Sequence, residues 1–230
     1  MTTIEQYIGD YLDYLEIEKN RSIKTRDNYE RYLKRFLAFS KITTPGEITQ
    51  EHVRQFRLWL NRVADEHGKT LKRNTQNYYV IALRNFLKYC AKRDVKTLSA
   101  DKIELGKMPD RDIDIIDAKD LERMTAIKEH DIKSLRDKAI LELLFSTGLR
   151  VSELCALNRD SIDLTRDEFS VRGKGGKVRV VFLSQTAREA LKEYKSRRDD
   201  IEESLLISFT HSNPPRALHR LTTRSVQRIV

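Results

Sequence analysis

Apolar residues recur at helical spacing through the first ninety or so positions. Ile4, Tyr7, Ile8, Tyr11, Leu12 and Leu15 follow at three- and four-residue steps, which predicts an amphipathic helix opened by a capping box between Thr2 and Glu5. Tyr29, Tyr32, Leu33, Phe36 and Leu37 predict a second helix, capped by Ser22. Thr49 opens a third, with Val53, Phe56, Leu60 and Val63 inward, and a fourth after "EHGKT" carries Tyr78, Ala82, Leu83, Phe86 and Cys90. The "TTPGEIT" between the second and third is a turn built on Pro45-Gly46. Short connections between four such helices predict a helical bundle over residues 1–93.

The periodicity lapses over residues 94–116, which hold a Gly, a Pro and alternating charges, and this stretch reads as a linker. From residue 117 to residue 230 the pattern is mixed. Asp117 with Asp120 caps a helix to about Lys128, and Ile132–Thr147 is a second, strongly apolar helix with Gly148 at its C-terminal end. "RVSELCAL" restarts a helix with Val151, Leu154 and Cys155 inward. "EFSVRGKGGKVRVVFL" alternates as two strands around a glycine turn, with Phe169 and Val171 facing the core together with Val178, Val180 and Phe182. A helix with a Thr186–Glu189 capping box, a short strand at "LLIS" and the start of a helix at "TTRSVQRIV" complete the reading. The expected fold is mainly α, a four-helix domain followed by a mixed α+β domain with a small β-hairpin.

Charge narrows the partner. The net charge is +9, and no acidic residue occurs between His67 and Arg93, where Lys69, Lys72, Arg73, Arg84, Lys88, Lys92 and Arg93 all fall. With a pI near 9.5 this points to a polyanion. No apolar run approaches a membrane span and no basic-then-apolar leader opens the sequence, so a cytoplasmic protein without a membrane partner is expected. Cys90 and Cys155 sit on apolar helical faces as free thiols, and no HxxH or CxxC spacing suggests zinc. The acids Asp110, Asp112, Asp114, Asp117 and Asp120 read as solvated rather than metal-binding.

One stretch asks for a reason. In "LLFSTGLRVSEL" a cation, Arg150, stands at a helix start, where the macrodipole disfavours it. Two readings follow: a surface arginine paired with Glu153 three residues on, or a guanidinium sharing an anion with the helix's N–H groups. The glycines of "RGKGGK" let Lys174 approach other backbone closely, where it can donate a proton; the segment lacks P-loop spacing.

"TGLRVSELCALNRDSIDL", followed about twenty residues later by "VRGKGGKVRVVFL", resembles the tyrosine recombinase (phage integrase) family, near its Xer type. "SIKTRDNYERYLKRFLAF" and "NTQNYYVIALRNFLKYC" are similar to that family's SAM-like core-binding domain. The resemblance implies DNA strand cleavage and rejoining through a phosphotyrosine, without metal, ATP or other cofactor. It gives Arg150 the scissile phosphate, Glu153 the support of Arg150, and Lys174 (Lys177 second) the proton for the 5′-hydroxyl leaving group. It also implies double-stranded DNA with inverted half-sites as partner and a tetrameric synapse. Lys24, Thr25, Lys72, Arg73, Asn74, Thr75 and Asn77, at or near two helix starts, are the candidates for DNA contact. The family's HxxR motif is absent from residues 1–230, and the last tyrosine, Tyr194, falls inside an amphipathic helix. The expectation is therefore a chain that stops within the catalytic domain and is inactive alone. A non-catalytic DNA-binding regulator and a metal-dependent nuclease using the acids of 110–120 are the alternatives.

Overall fold

The computed structural model describes residues 3–107, 115–126, 131–209 and 218–230, with the backbone alone for Ala118, Leu121 and Lys174. Thr2, Asp110, Asp112, Asp114 and Lys128 lie outside the described residues. The chain divides into two compact units, Met1–Asp112 and Ile113–Val230.

The first unit is built on α1 (Ile4–Glu16), α2 (Ile23–Ser40), α3 (Gln50–Arg62) and α4 (Arg73–Lys92). The first cap belongs to Thr3, whose Oγ1 accepts from Gln6 N while Gln6 Oε1 accepts from Thr3 N at 2.8 Å. Thr3 and Gln6 thereby form a reciprocal capping box. Ser22 and Thr49 cap α2 and α3 as expected. Each helix turns one apolar stripe inward, and aromatic rings fill the centre: Phe36 meets Phe56 edge-on at 5.2 Å, and Tyr11 meets Phe86 at 5.7 Å. On α4 it is Tyr79 that is buried, while Tyr78 is half exposed. The Tyr79 ring meets that of Tyr32 at a tilt, 4.6 Å between centroids, and only its position on the helix lies on the stripe of Leu83 and Phe86.

The expected linker does not begin at residue 94. Ala100 and Ile103 are buried in the first core, and Val95 and Leu98 pack against it. Polar pins fix the same stretch: Arg57 Nη1 donates to Glu104 O at 2.9 Å, Asn77 Nδ2 to Gly106 O at 2.9 Å, and Gly106 N to Asn77 Oδ1 at 3.1 Å. Irregular chain thus seals one side of the four helices through point contacts that leave no periodic trace.

The second unit comprises α5 (Ala118–Thr125), α6 (Ile132–Thr147), α7 (Val151–Ala156), β1 (Glu168–Arg172), β2 (Val178–Phe182), α8 (Gln185–Ser196), β3 (Ile207–Ser208), β4 (His219–Arg220) and α9 (Thr223–Ile229). Its core gathers Leu135, Ile140, Leu143, Leu154, Leu191 and Tyr194. The bounds of α6 are those predicted, and Gly148 closes it at φ 59°. Ser184 rather than Thr186 caps α8, accepting from Ala187 N, while the Thr186 hydroxyl donates to Glu142. β3 pairs antiparallel with β4.

The hairpin inverts the expected face of β2. Phe169 lies opposite Val181 and Val171 opposite Arg179, and side chains across a ladder share a face. Val181 is therefore buried with Phe169 and Val171, whereas Val178, Val180 and Phe182 are more than half exposed. β2 reads Val-Arg-Val-Val-Phe, so both parities carry apolar residues; β1, with its clean alternation, sets the register. The inversion puts Arg179 on the inner face.

Candidate active site

Gly148 ends α6 in the left-handed conformation, and two residues later Arg150 is the N-cap of α7 in extended backbone. Glu153, one turn on, reaches back: its Oε2 accepts from Arg150 N at 2.9 Å and its Oε1 from Arg150 Nη1 at 2.8 Å. This is half of a capping box: Glu153 accepts from the cap's N–H, while the cap's own side chain, a cation, donates to the same carboxylate and accepts nothing. The Glu153 side chain is only 6% exposed, whereas that of Arg150 is 63% exposed. The α7 helix is six residues long, and the N–H of its cap residue, Arg150, is engaged by Glu153.

A second arginine completes the cluster. Arg179 Nη1 donates to Glu153 Oε1 at 3.0 Å and Arg179 Nη2 to Glu153 Oε2 at 2.8 Å, a fork on a carboxylate. The fork, joined by the two bonds from Arg150 and opposed by burial, holds the Glu153 carboxyl down at about 2. Sequence reasoning missed Arg179 because the hairpin was read with the wrong face inward; the alternation of β1 alone carried the correct parity.

Gly173 makes the approach possible. A Cβ there would stand 2.9 Å from Glu153 Oε1 and 3.2 Å from Arg179 Nη1, so a side chain would force the Glu153–Arg179 pair or the hairpin to shift. Gly173 N donates to Lys177 O at 2.8 Å, and the turn between them runs through Gly175 and Gly176 at φ 73° and 75°. Lys174 follows Gly173 directly at the start of the turn; its side chain lies outside what is described. Lys177 is exposed at the far side of the turn. Tyr194, the second unit's tyrosine, is fully buried with its hydroxyl pKa raised by that burial, which makes it a core residue. Among the described residues no group of His, Cys, Asp and Glu converges as a metal site, and no helix is long and apolar enough to cross a membrane. Cys90 and Cys155 are buried free thiols.

In the first unit, Lys72 and Arg73 are exposed at the start of α4, with Asn74 and Thr75 half-buried beside them. Lys24 is exposed in the first turn of α2, and the Thr25 hydroxyl lies 3.0 Å from Ser22 Oγ. Asn77 is buried, its amide spent on Gly106, and it faces the sealing segment rather than solvent. Arg84 and Arg93 find counter-charges from outside the basic run, Asp101 at 3.7 Å and Glu18 at 3.0 Å. Among the described residues no carboxylate pairs with Lys69, Lys72, Arg73, Lys88 or Lys92, which leaves a cationic surface.

Comparison with known proteins follows the same division. Residues 114–230 match the model of the phage integrase family, and residues 8–94 that of the phage integrase N-terminal SAM-like domain. The chain is 30% identical over 236 residues to tyrosine recombinase XerC of Thermodesulfovibrio yellowstonii, covering all of this chain and 75% of that protein. To XerC of Bacillus subtilis it is 31% identical over 198 residues, covering 84% of this chain and 64% of the relative. Among solved structures, a lambda integrase dimer bound to a COC′ core site superposes with a TM-score of 0.72 at 16% identity, over 99% of this chain and 61% of that one. A lambda integrase tetramer bound to a Holliday junction gives 0.71 at 17% identity, over 99% and 64%. These two share the fold.

Proposed function

The chain belongs to the phage integrase family, and from that premise we propose that it binds duplex DNA and acts in site-specific recombination, with Arg150 and Lys174 serving the scissile phosphate. The observation that supports this most is the exposed Arg150 guanidinium fixed by a buried carboxylate. An arginine tied by one nitrogen and open at the others can take two phosphate oxygens at once, and it does so without first losing the side-chain entropy of a free surface residue. Charge growing on the non-bridging oxygens in the transition state is stabilised by such a fixed cation.

In this reading a tyrosine oxygen attacks phosphorus and releases its phenolic proton to solvent, the bond from phosphorus to the 5′-oxygen breaks, and the strand is left as a 3′-phosphotyrosyl ester. Lys174 gives its proton to the departing 5′-oxygen, and rejoining reverses each transfer. Tyr194 is not that nucleophile, being a core residue. Residues 1–230 thus supply DNA binding and phosphate activation, and the nucleophile is assigned to no tyrosine of the second unit. Lys24, Thr25, Lys72, Arg73, Asn74 and Thr75 meet the duplex, which carries inverted half-sites, and four protomers join in the synapse; the work is done in the cytoplasm, without cofactor.

Two measurements test the proposal. Duplex binding, followed by fluorescence anisotropy in EDTA between about 50 and 200 mM salt, should weaken steeply, and Lys72→Ala with Arg73→Ala should reduce the log–log slope by about one to two. Binding that depends on a divalent cation, or a slope unmoved by the double substitution, overturns the assignment of the DNA face. In an enzyme that carries the nucleophilic tyrosine, a duplex nicked beside the cleavage position traps the covalent protein–DNA species, which should vanish in Arg150→Ala and not return in Arg150→Lys. Tight duplex binding with no covalent species from the complete assembly supports the non-catalytic regulator instead.

A further inference from the structure

We propose that Arg179 is a positioning residue that saturates Glu153 and thereby keeps Arg150 open for phosphate. The inference rests on the reading of Arg150 given above and adds a residue to it. An ionised carboxylate offers about four acceptor positions. At Glu153 all four are taken, two by the Arg179 fork and one each by the backbone N–H and Nη1 of Arg150. Arg150 therefore commits a single guanidinium nitrogen, and the cluster of two cations and one anion keeps a net positive charge facing solvent.

Without Arg179 the balance changes. Glu153 would have two vacant acceptor positions beside a guanidinium already in contact, and the strongest geometry open to that pair is fork against fork. Arg150 would fold down onto Glu153, spending on the carboxylate the nitrogens that the phosphate needs and cancelling its charge. Arg179 also belongs to the hairpin that carries Lys174, and Gly173 lets that hairpin close to within contact of Glu153. One carboxylate thus joins the arginine and lysine segments, and the second arginine decides how much of the first remains available.

Phenylglyoxal modification of the full chain, quantified by peptide mass spectrometry, reads the availability of the Arg150 guanidinium, with exposed Arg166 as internal reference. A duplex of A·T pairs alone, which has no guanine to react, serves as the phosphate probe. In the unsubstituted protein Arg150 should react readily and be protected by the duplex. In Arg179→Gln its rate should fall several-fold relative to Arg166, and in Arg179→Gln with Glu153→Gln it should recover, since no carboxylate remains to capture it. A residue that only braced the hairpin would not give this recovery. Arg179→Lys, which keeps the charge but loses the fork, should slow the rate to a smaller degree, and it serves if the glutamine variant fails to fold by circular dichroism. Duplex protection with an Arg150 rate unchanged or raised in Arg179→Gln or Arg179→Lys overturns the role of Arg179 and leaves that of Arg150. Absence of duplex protection in the unsubstituted protein overturns the phosphate role itself.

Discussion

Replacing Glu153 by Gln keeps the shape of the cluster and removes its only anion. The ordinary carboxyl value of 4.5 falls to about 2 in the folded chain. At about 1.4 kcal/mol per pH unit this depression bounds the carboxylate's contribution at about 3 kcal/mol. Solvent reaches Arg150 and Arg179, which are 63% and 36% exposed, so screening brings the expected loss to about 2 kcal/mol. The sign follows from the direction of the shift. A carboxylate whose folded value is depressed contributes fully above its unfolded value and loses that contribution as pH falls through the folded one. The gap between Glu153→Gln and the unsubstituted chain should therefore be full at pH 7 and narrow to roughly 1 kcal/mol at about pH 3.5. Urea unfolding followed by circular dichroism measures it, and Trp59, the lone tryptophan, supplies an internal control, because its fluorescence reports the first unit. The dichroism transition should move and the Trp59 transition should not. Equal stability at pH 7, or a gap that does not narrow in acid, refutes the argument.

Other outcomes are expected from the same geometry. Gly173→Ala should destabilise the second unit by about 1–3 kcal/mol in urea, because the new methyl meets both Glu153 and Arg179. Val181→Ser should cost about 2 kcal/mol while Val180→Ser changes stability by less than about 0.5 kcal/mol; equal effects would mean the strand faces are misassigned. Asn77→Ala should lower the Trp59 unfolding midpoint by an amount equivalent to about 1 kcal/mol, since the part-buried Gly106 N–H and C=O both lose a partner. Asp200→Asn should be among the most damaging changes in the second unit, about 3 kcal/mol or more by calorimetry, because it strips the counter-charge from the fully buried Arg198.

What the sequence made legible was whatever a few neighbouring residues decide among themselves. Ser22, Thr49 and Asp117 announce helix starts, and Gly148 an end, because each acts on backbone within one turn. Arg150 and Glu153 could be paired on paper for the same reason. Arg179 lies 26 residues from Glu153 and Gly106 lies 29 from Asn77, and no local pattern records such a meeting. The face of β2 failed for a related reason: with valines at both parities, its side is chosen by the partner strand. Tyr78 and Tyr79 presented the same ambiguity on a helix, adjacent aromatics of which the stripe admits one.

The segment that closes the first unit changes what it means to take that unit out of the chain. The SAM-like match ends at residue 94, and a fragment cut there would look complete by its four helices. It would lack Leu98, Ala100 and Ile103 and both hydrogen bonds to Asn77, so a strip of α3 and α4 would meet water along an open seam. Such a fragment exposes apolar side chains that the intact unit keeps covered. The packed chain of this unit runs at least to Gly106, beyond the point where α4 stops.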